Sequence, residues 1–154
     1  MTYIEAPNYV FPVSKKSIFL AGTIQGTITD WQAEVADALK NFDIVVFNPR
    51  RKNFPIHDPS AAEEQITWEF KMLRQADMIS FWFAKETLGP IVLFELGQHS
   101  MTQKPIVIGM DPKYPRRQDV EIQTKLIRPE IPITYSMEDF TNAISDMINQ
   151  ILLV

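Results

Sequence analysis

At 154 residues, with 45% hydrophobic and 22% charged side chains, the chain has the composition of one soluble globular domain with room for a sizeable core. A formal net charge of −4 excludes nonspecific binding to duplex nucleic acid, which needs a basic surface to neutralise phosphates. The absence of cysteine excludes disulfides, thiolate metal sites and a cysteine nucleophile, leaves oxygen or nitrogen for any covalent chemistry, and fits a reducing, cytoplasmic setting. No stretch approaches the ~18 apolar residues of a membrane span, and residues 1–13 lack a signal-peptide pattern, so no membrane partner is expected.

Residues 1–16 (MTYIEAPNYVFPVSKK) carry two prolines and no clean periodicity; they read as an extended arm ahead of a domain at residues 17–154. Ser17–Ala21 is a short apolar run ending at Gly22, the pattern of a buried strand followed by a tight turn. Thr29 or Asp30 caps a helix reaching about Asn41, with Trp31, Val35, Ala38 and Leu39 at helical spacing. Asp43–Phe47 is a second strand, stopped by Asn48-Pro49 because proline has no N–H for a sheet ladder. After the loop RRKNFPIHDPS, a helix runs from about Ala61 to Gln75, and Asp77–Phe83 is a third strand. Residues 84–89 form a loop, Pro90 suits a first helical turn, and the helix continues to Met101. Pro105–Gly109 is a fourth strand, followed by a polar loop, a helix toward Arg128 and a short strand at Ile131–Tyr135. Ser136 caps a last helix with Phe140, Ile144, Met147, Ile148, Ile151 and Leu152 on one face.

Apolar strands alternating with helices specify an α/β fold. The expected architecture is a single-domain, doubly wound, flavodoxin- or Rossmann-like sheet of about five mostly parallel strands, with helices on both faces. Ligands in such sheets bind beyond the carboxyl ends of the strands, which singles out residues 22–26, 48–52, 84–89 and 109–112.

Glu95 stands out because it interrupts the apolar run Ile91-Val92-Leu93-Phe94 and precedes Leu96-Gly97. An ionised group among such neighbours faces a cleft or has partners, unless it lies on the helix's one wet face. The same contrast is weaker at Glu69, in Thr67-Trp68-Glu69-Phe70, which alone reads as a surface acid; Asp77, at a helix-to-strand junction, suits a turn or cap. Arg50 and Arg51 follow Asn48-Pro49 at the expected crevice, where guanidinium forks suit phosphate, carboxylate or a base edge, or else belong to a solvated loop. Gly22 and Gly26, in Ala21-Gly22-Thr23-Ile24-Gln25-Gly26, allow close backbone approach to a ligand, without a dinucleotide fingerprint or P-loop lysine. His57 and His99 lie far apart with no carboxylate at ligand spacing, so no metal is expected; Trp31 and Trp68 are core residues by type, or stack on a base.

Five ordered pieces, IFLAGTIQG, the DWQ at Asp30–Gln32, VVFNPRR, QITWEFKMLRQADMISFW and ETLGPIVLFELG, resemble the nucleoside 2-deoxyribosyltransferase family, in particular its short 2-deoxyribosyltransferase-like branch, from about Ser17 to Asp119. The resemblance implies that Glu95, the acid of the "ELG" motif, is the nucleophile on the sugar's anomeric carbon. It implies that Glu69, eight residues before Asp77, assists proton transfer and positioning, with Glu where the family has Asp. The family also carries an Asp in the loop before the nucleophile, where this chain has Glu86-Thr87-Leu88-Gly89-Pro90.

The crevice and the resemblance together make Gly22, Thr23, Ile24, Asp30, Trp31, Asn48, Arg50, Arg51, Trp68 and Gly89 the expected substrate-binding set. The expected activity is cleavage of the N-glycosidic bond of a nucleoside or nucleotide through a glycosyl-glutamate intermediate, with transfer to another base or to water. The competing reading is a nucleotide-binding or sensing module of the same fold, without catalysis. No cofactor is expected. A homo-oligomer is, because the family shares sites between chains, the arm has no face to pack on its own sheet, and the helix from Pro90 is apolar beyond one sheet face.

Overall fold

The strand and helix signals of the sequence assemble, in a computed structural model that describes residues 1–9 and 14–153, into one six-stranded sheet between two helical layers. The strands are β1 (Thr2–Glu5), β2 (Ser17–Gly22), β3 (Val45–Asn48), β4 (Met78–Phe83), β5 (Ile106–Met110) and β6 (Ile133–Thr134). They lie in the order β1-β3-β2-β4-β5-β6, and every neighbouring pair is parallel. β2 to β5 are buried at every position, which is why they read as continuous apolar runs rather than alternating ones.

Period-two alternation divides these strands between two cores. Phe19, Phe47, Phe81 and Phe83 point to one face, where Trp68 and Met72 of α2 (Ala61–Gln75), Val92 and Leu96 of α3 (Pro90–Ser100) and Val120 of α4 (Arg117–Ile127) cover them. Ile18, Leu20, Val46 and Val107 point to the other, under Trp31 and Val35 of α1 (Trp31–Ala38) and Phe140, Ile144 and Ile148 of α5 (Met137–Leu152). The expected caps form: Asp30 accepts a hydrogen bond from the Ala33 N–H at 3.0 Å, and Ser136 from the Asp139 N–H at 3.1 Å. Asp77 ties the starts of β2 and β4 together by accepting from the Ser17 N–H at 2.8 Å and from its hydroxyl at 2.9 Å.

One expectation is corrected. The first residues are not wholly an arm beside the sheet: Thr2–Glu5 pairs with β3 as an edge strand and buries Ile4 in the core, so the sheet has six strands rather than about five. Four residues before a proline are too short for their alternation to stand out. Val10 and Phe11 of the arm lie outside the described residues. No helix among the described residues is long and apolar enough to cross a membrane.

From β2 the chain steps to β3 on one side and then returns to β4 on the other, so the connections leaving β2 and β4 diverge. This is the topological switch point, the place where open parallel sheets leave a crevice beyond their carboxyl ends.

Candidate active site

At that switch point lies a cleft of about 300 Å³, the lower end of the range for small-molecule sites. Its floor is the turn after β2, Gly22 to Gln25, with Phe19 and Ala21 beneath; its sides are Pro49 after β3, Thr87 to Val92 at the start of α3, and Glu69 of α2. Hydrogen bonds fix these loops to one another and to the segment after β5. The Thr23 N–H donates to the Trp82 carbonyl at 3.0 Å, the Ala84 N–H donates to the Thr23 hydroxyl at 3.0 Å, and the Tyr114 hydroxyl donates to the Leu88 carbonyl at 2.7 Å. Two glycines are required by this closeness. A β-carbon on Gly22 would stand 2.4 Å from the Trp31 ring and 2.6 Å from the Trp82 carbonyl. Gly89 sits at φ +56°, in the left-handed region, and a β-carbon there would stand 2.5 Å from Thr23 Cγ2.

Glu95 and Glu69 both line this cleft, although they come from different helices on either side of β4 in the chain. On α3 the buried stripe is Val92, Leu96, His99 and Ser100; Glu95, one residue before Leu96, lies at the edge of that stripe and is half-buried. On α2 the same logic places Glu69 next to the fully buried Trp68. Burial, and secondarily the charge of Glu69, pushes the Glu95 carboxyl up to about 8. Burial also raises Glu69, against a hydrogen bond from Gln65 Nε2 at 2.8 Å that favours its anion. Two carboxyls that disfavour each other's ionisation hold one proton between them over a range of pH, the condition for one to act as nucleophile and the other as acid.

Of the expected substrate-binding residues, the cleft gathers Gly22, Thr23, Ile24 and Gly89; the others lie elsewhere. Trp68 is fully buried, packs against Phe19 and Phe47, and donates its indole N–H to the Asn8 carbonyl at 2.7 Å, so it is a core residue rather than a base platform. Trp31 is buried on the α1 side, where its indole N–H holds the Thr23 carbonyl at 2.8 Å; it supports the floor from behind. Asn48 donates to the Tyr3 hydroxyl and accepts from the Arg50 N–H at 2.9 Å.

The two arginines are committed to other partners. Arg50 donates to Gln32 Oε1 and Thr27 Oγ1, each at 2.9 Å, and pairs with Asp30 at 3.3 Å, so it braces the turn into α1. With Asp30 and Asn48 it lines a separate surface groove on the α1 side of the sheet edge. Arg51 pairs with Glu64 at 2.9 Å and lies over the Phe54 ring, its centre 5.4 Å from the ring centre. Neither arginine lines the cleft; the carboxylates and the amide that pair with them are distant in sequence and invisible to a local pattern. Glu86, the acid nearest the family's missing loop Asp, faces a different depression with Glu34 and Asp111. Sequence reasoning passed over Gln65, Gln25 and Thr87. The spacing of Gln65, four residues before Glu69 on one helix, was the signal for the first.

A family model described as nucleoside 2-deoxyribosyltransferase like matches residues 15–114, about two-thirds of the 154 residues and the whole of this cleft. No curated protein matches the sequence. Among solved structures, a 2-deoxyribosyltransferase from the psychrotolerant bacterium Bacillus psychrosaccharolyticus is similar at a TM-score of 0.50 and 16% identity, over 61% of this chain and 72% of that one. At that identity the likeness is one of fold, and it agrees with the all-parallel sheet described above. The match over β2 to β5, with the cleft and both acids inside it, makes this chain a member of the nucleoside 2-deoxyribosyltransferase-like family.

Proposed function

We propose that this protein cleaves the N-glycosidic bond of a nucleoside, with Glu95 as the attacking carboxylate and Glu69 as the group that moves the proton. The observation that carries this reading is the meeting of two acids from two helices on one cleft, with Glu95 held at about 8 by burial and by its neighbour. With one proton on the pair, its passage from Glu95 to Glu69 leaves Glu95 ionised, and the carboxylate oxygen of Glu95 then forms a bond to the anomeric carbon as the bond to the base breaks. The electron pair leaves with the base, which takes the proton from Glu69. A second base then attacks the anomeric carbon, releases Glu95 and returns its proton to Glu69; water in its place gives hydrolysis.

The cleft also bears on the substrate's charge. Among the described residues its wall carries two acids and no lysine, arginine or histidine, while Arg50 and Arg51 are paired elsewhere. A 5′-phosphate entering it would meet like charge without a cation to offset it. An uncharged nucleoside is therefore favoured over its 5′-monophosphate, and the competing nucleotide-sensing reading loses the arginines it depended on.

Incubation with a panel of deoxynucleosides and their 5′-monophosphates, with and without a second free base, tests this directly by chromatography. Release of free base or appearance of a new nucleoside is the result expected, with the nucleosides turned over faster than the monophosphates. Absence of both products from every substrate contradicts the reading; preference for the monophosphates contradicts the charge argument alone.

A further inference from the structure

Gln65, on α2, joins two groups that line this cleft. Its Nε2 donates one hydrogen to the Pro49 carbonyl at 2.7 Å and the other to Glu69 Oε1 at 2.8 Å, so both amide hydrogens are used. The opposite amide orientation is excluded, because it would set Oε1 against two acceptors. Both partners line the cleft, Pro49 from the loop after β3 and Glu69 from α2. Gln65 Oε1 is buried and has no protein partner.

A solubilising surface glutamine would not hold this arrangement. Gln65 and Glu69 are one helical turn apart, on the face of α2 that also carries the fully buried Trp68 and Met72 at its centre. The bond to the Pro49 carbonyl anchors the amide to a loop outside the helix, so the carboxylate that accepts the second hydrogen is held against the backbone rather than free to turn. Without that anchor, Glu69 could rotate away from Glu95 and relieve the repulsion between them.

We propose that Gln65 is a positioning residue: its amide ties Glu69 to the backbone of the loop after β3 and so keeps Glu69 oriented toward Glu95. This rests on the acid-pair reading of the cleft. The tie makes the pair ionise its first proton more easily, because the bond from Gln65 favours the Glu69 anion.

Two measurements on Gln65→Leu test the proposal, with Gln65→Met, unbranched and closer in length, as a replacement if leucine prevents folding. NMR titration of the Glu69 side-chain carboxyl, which needs no activity, should show its midpoint moved to higher pH than in the wild type. A midpoint that stays in place overturns the positioning role whether or not the protein is an enzyme. In the base-release assay, kcat should fall about tenfold with KM little changed, and the acid limb of the pH profile should move to higher pH. The same substitution in a Glu69→Gln background should have no further effect on kcat. A loss of thermal stability with an unmoved acid limb, or an equal loss of kcat in both backgrounds, would reduce Gln65 to a packing residue. Failure of the wild type to release base counts against the proposed function, and the carboxyl titration still decides the role of Gln65.

Discussion

Glu95 is a carboxyl whose folded state holds its proton up to about 8, far above its ordinary 4.5. The unfolded chain releases that proton first, so between pH 4.5 and about 8 folding takes up a proton and stability falls as pH rises through that window. Glu95→Gln has no proton to take up. It should therefore match the wild type near pH 4.5 and exceed it near pH 8 by about 1–3 kcal/mol, less than the full shift implies because the side chain is only half-buried. Thermal melts at the two pH values check this; parallel melting curves for the two proteins would show that the raised value is wrong. The same substitution should lower base release at least about a thousandfold, since it removes the nucleophile but keeps the shape. At this scale legibility tracked local contrast. An acid inside Ile91–Phe94 and Leu96 announces itself, whereas Glu69 needs the family resemblance, and the pairing of Arg50 and Arg51 and the full burial of Trp68 stay hidden because their partners, Asp30, Glu64 and Asn8, are remote in sequence.

At the scale of elements, the turns that end β2 and β4 matter more than the helices they lead into. Gly89, at φ +56° and within 2.5 Å of Thr23 at its missing β-carbon, lets these two turns close on one another. Gly89→Ala should destabilise the protein by about 1–3 kcal/mol and loosen the cleft wall at Thr87–Val92, raising KM for the nucleoside as well. Chemical denaturation alongside steady-state kinetics checks both effects, and a variant as stable and as active as the wild type would refute the close packing. The strands and helices from Ser17 onward were legible to within a few residues, because the central strands are buried on both faces and a helix such as α5 carries a clear apolar stripe. β1 was not. Its four residues gain their strand character from pairing with β3, a long-range contact that no window of sequence contains.

For the whole molecule, β1 weakens one of the grounds for an oligomer, since this part of the arm packs on its own sheet. The ground that rests on the helix from Pro90 stands on exposed side chains. Ile91 and Phe94 on α3, and Ile66 and Phe70 on α2, are exposed beside the two helices that carry Glu95 and Glu69. We propose that a second copy of the chain covers this apolar surface and closes the cleft, as the family resemblance implies. Light scattering at micromolar concentration should give at least a dimer mass, and Phe94→Glu should shift it toward the monomer; a monomer mass for the wild type would refute the assembly. The fold was legible as a whole because strand and helix alternate throughout, but which of the four loops after the strands form the cleft needed the strand order, a long-range property. The central claim is the covalent step at Glu95. Rapid quenching after mixing with a deoxynucleoside, followed by peptide mass spectrometry, should find a deoxyribosyl adduct on the peptide containing Glu95 and none in Glu95→Gln. Base release by the wild type with no adduct on that peptide, or base release undiminished in Glu95→Gln, would contradict it.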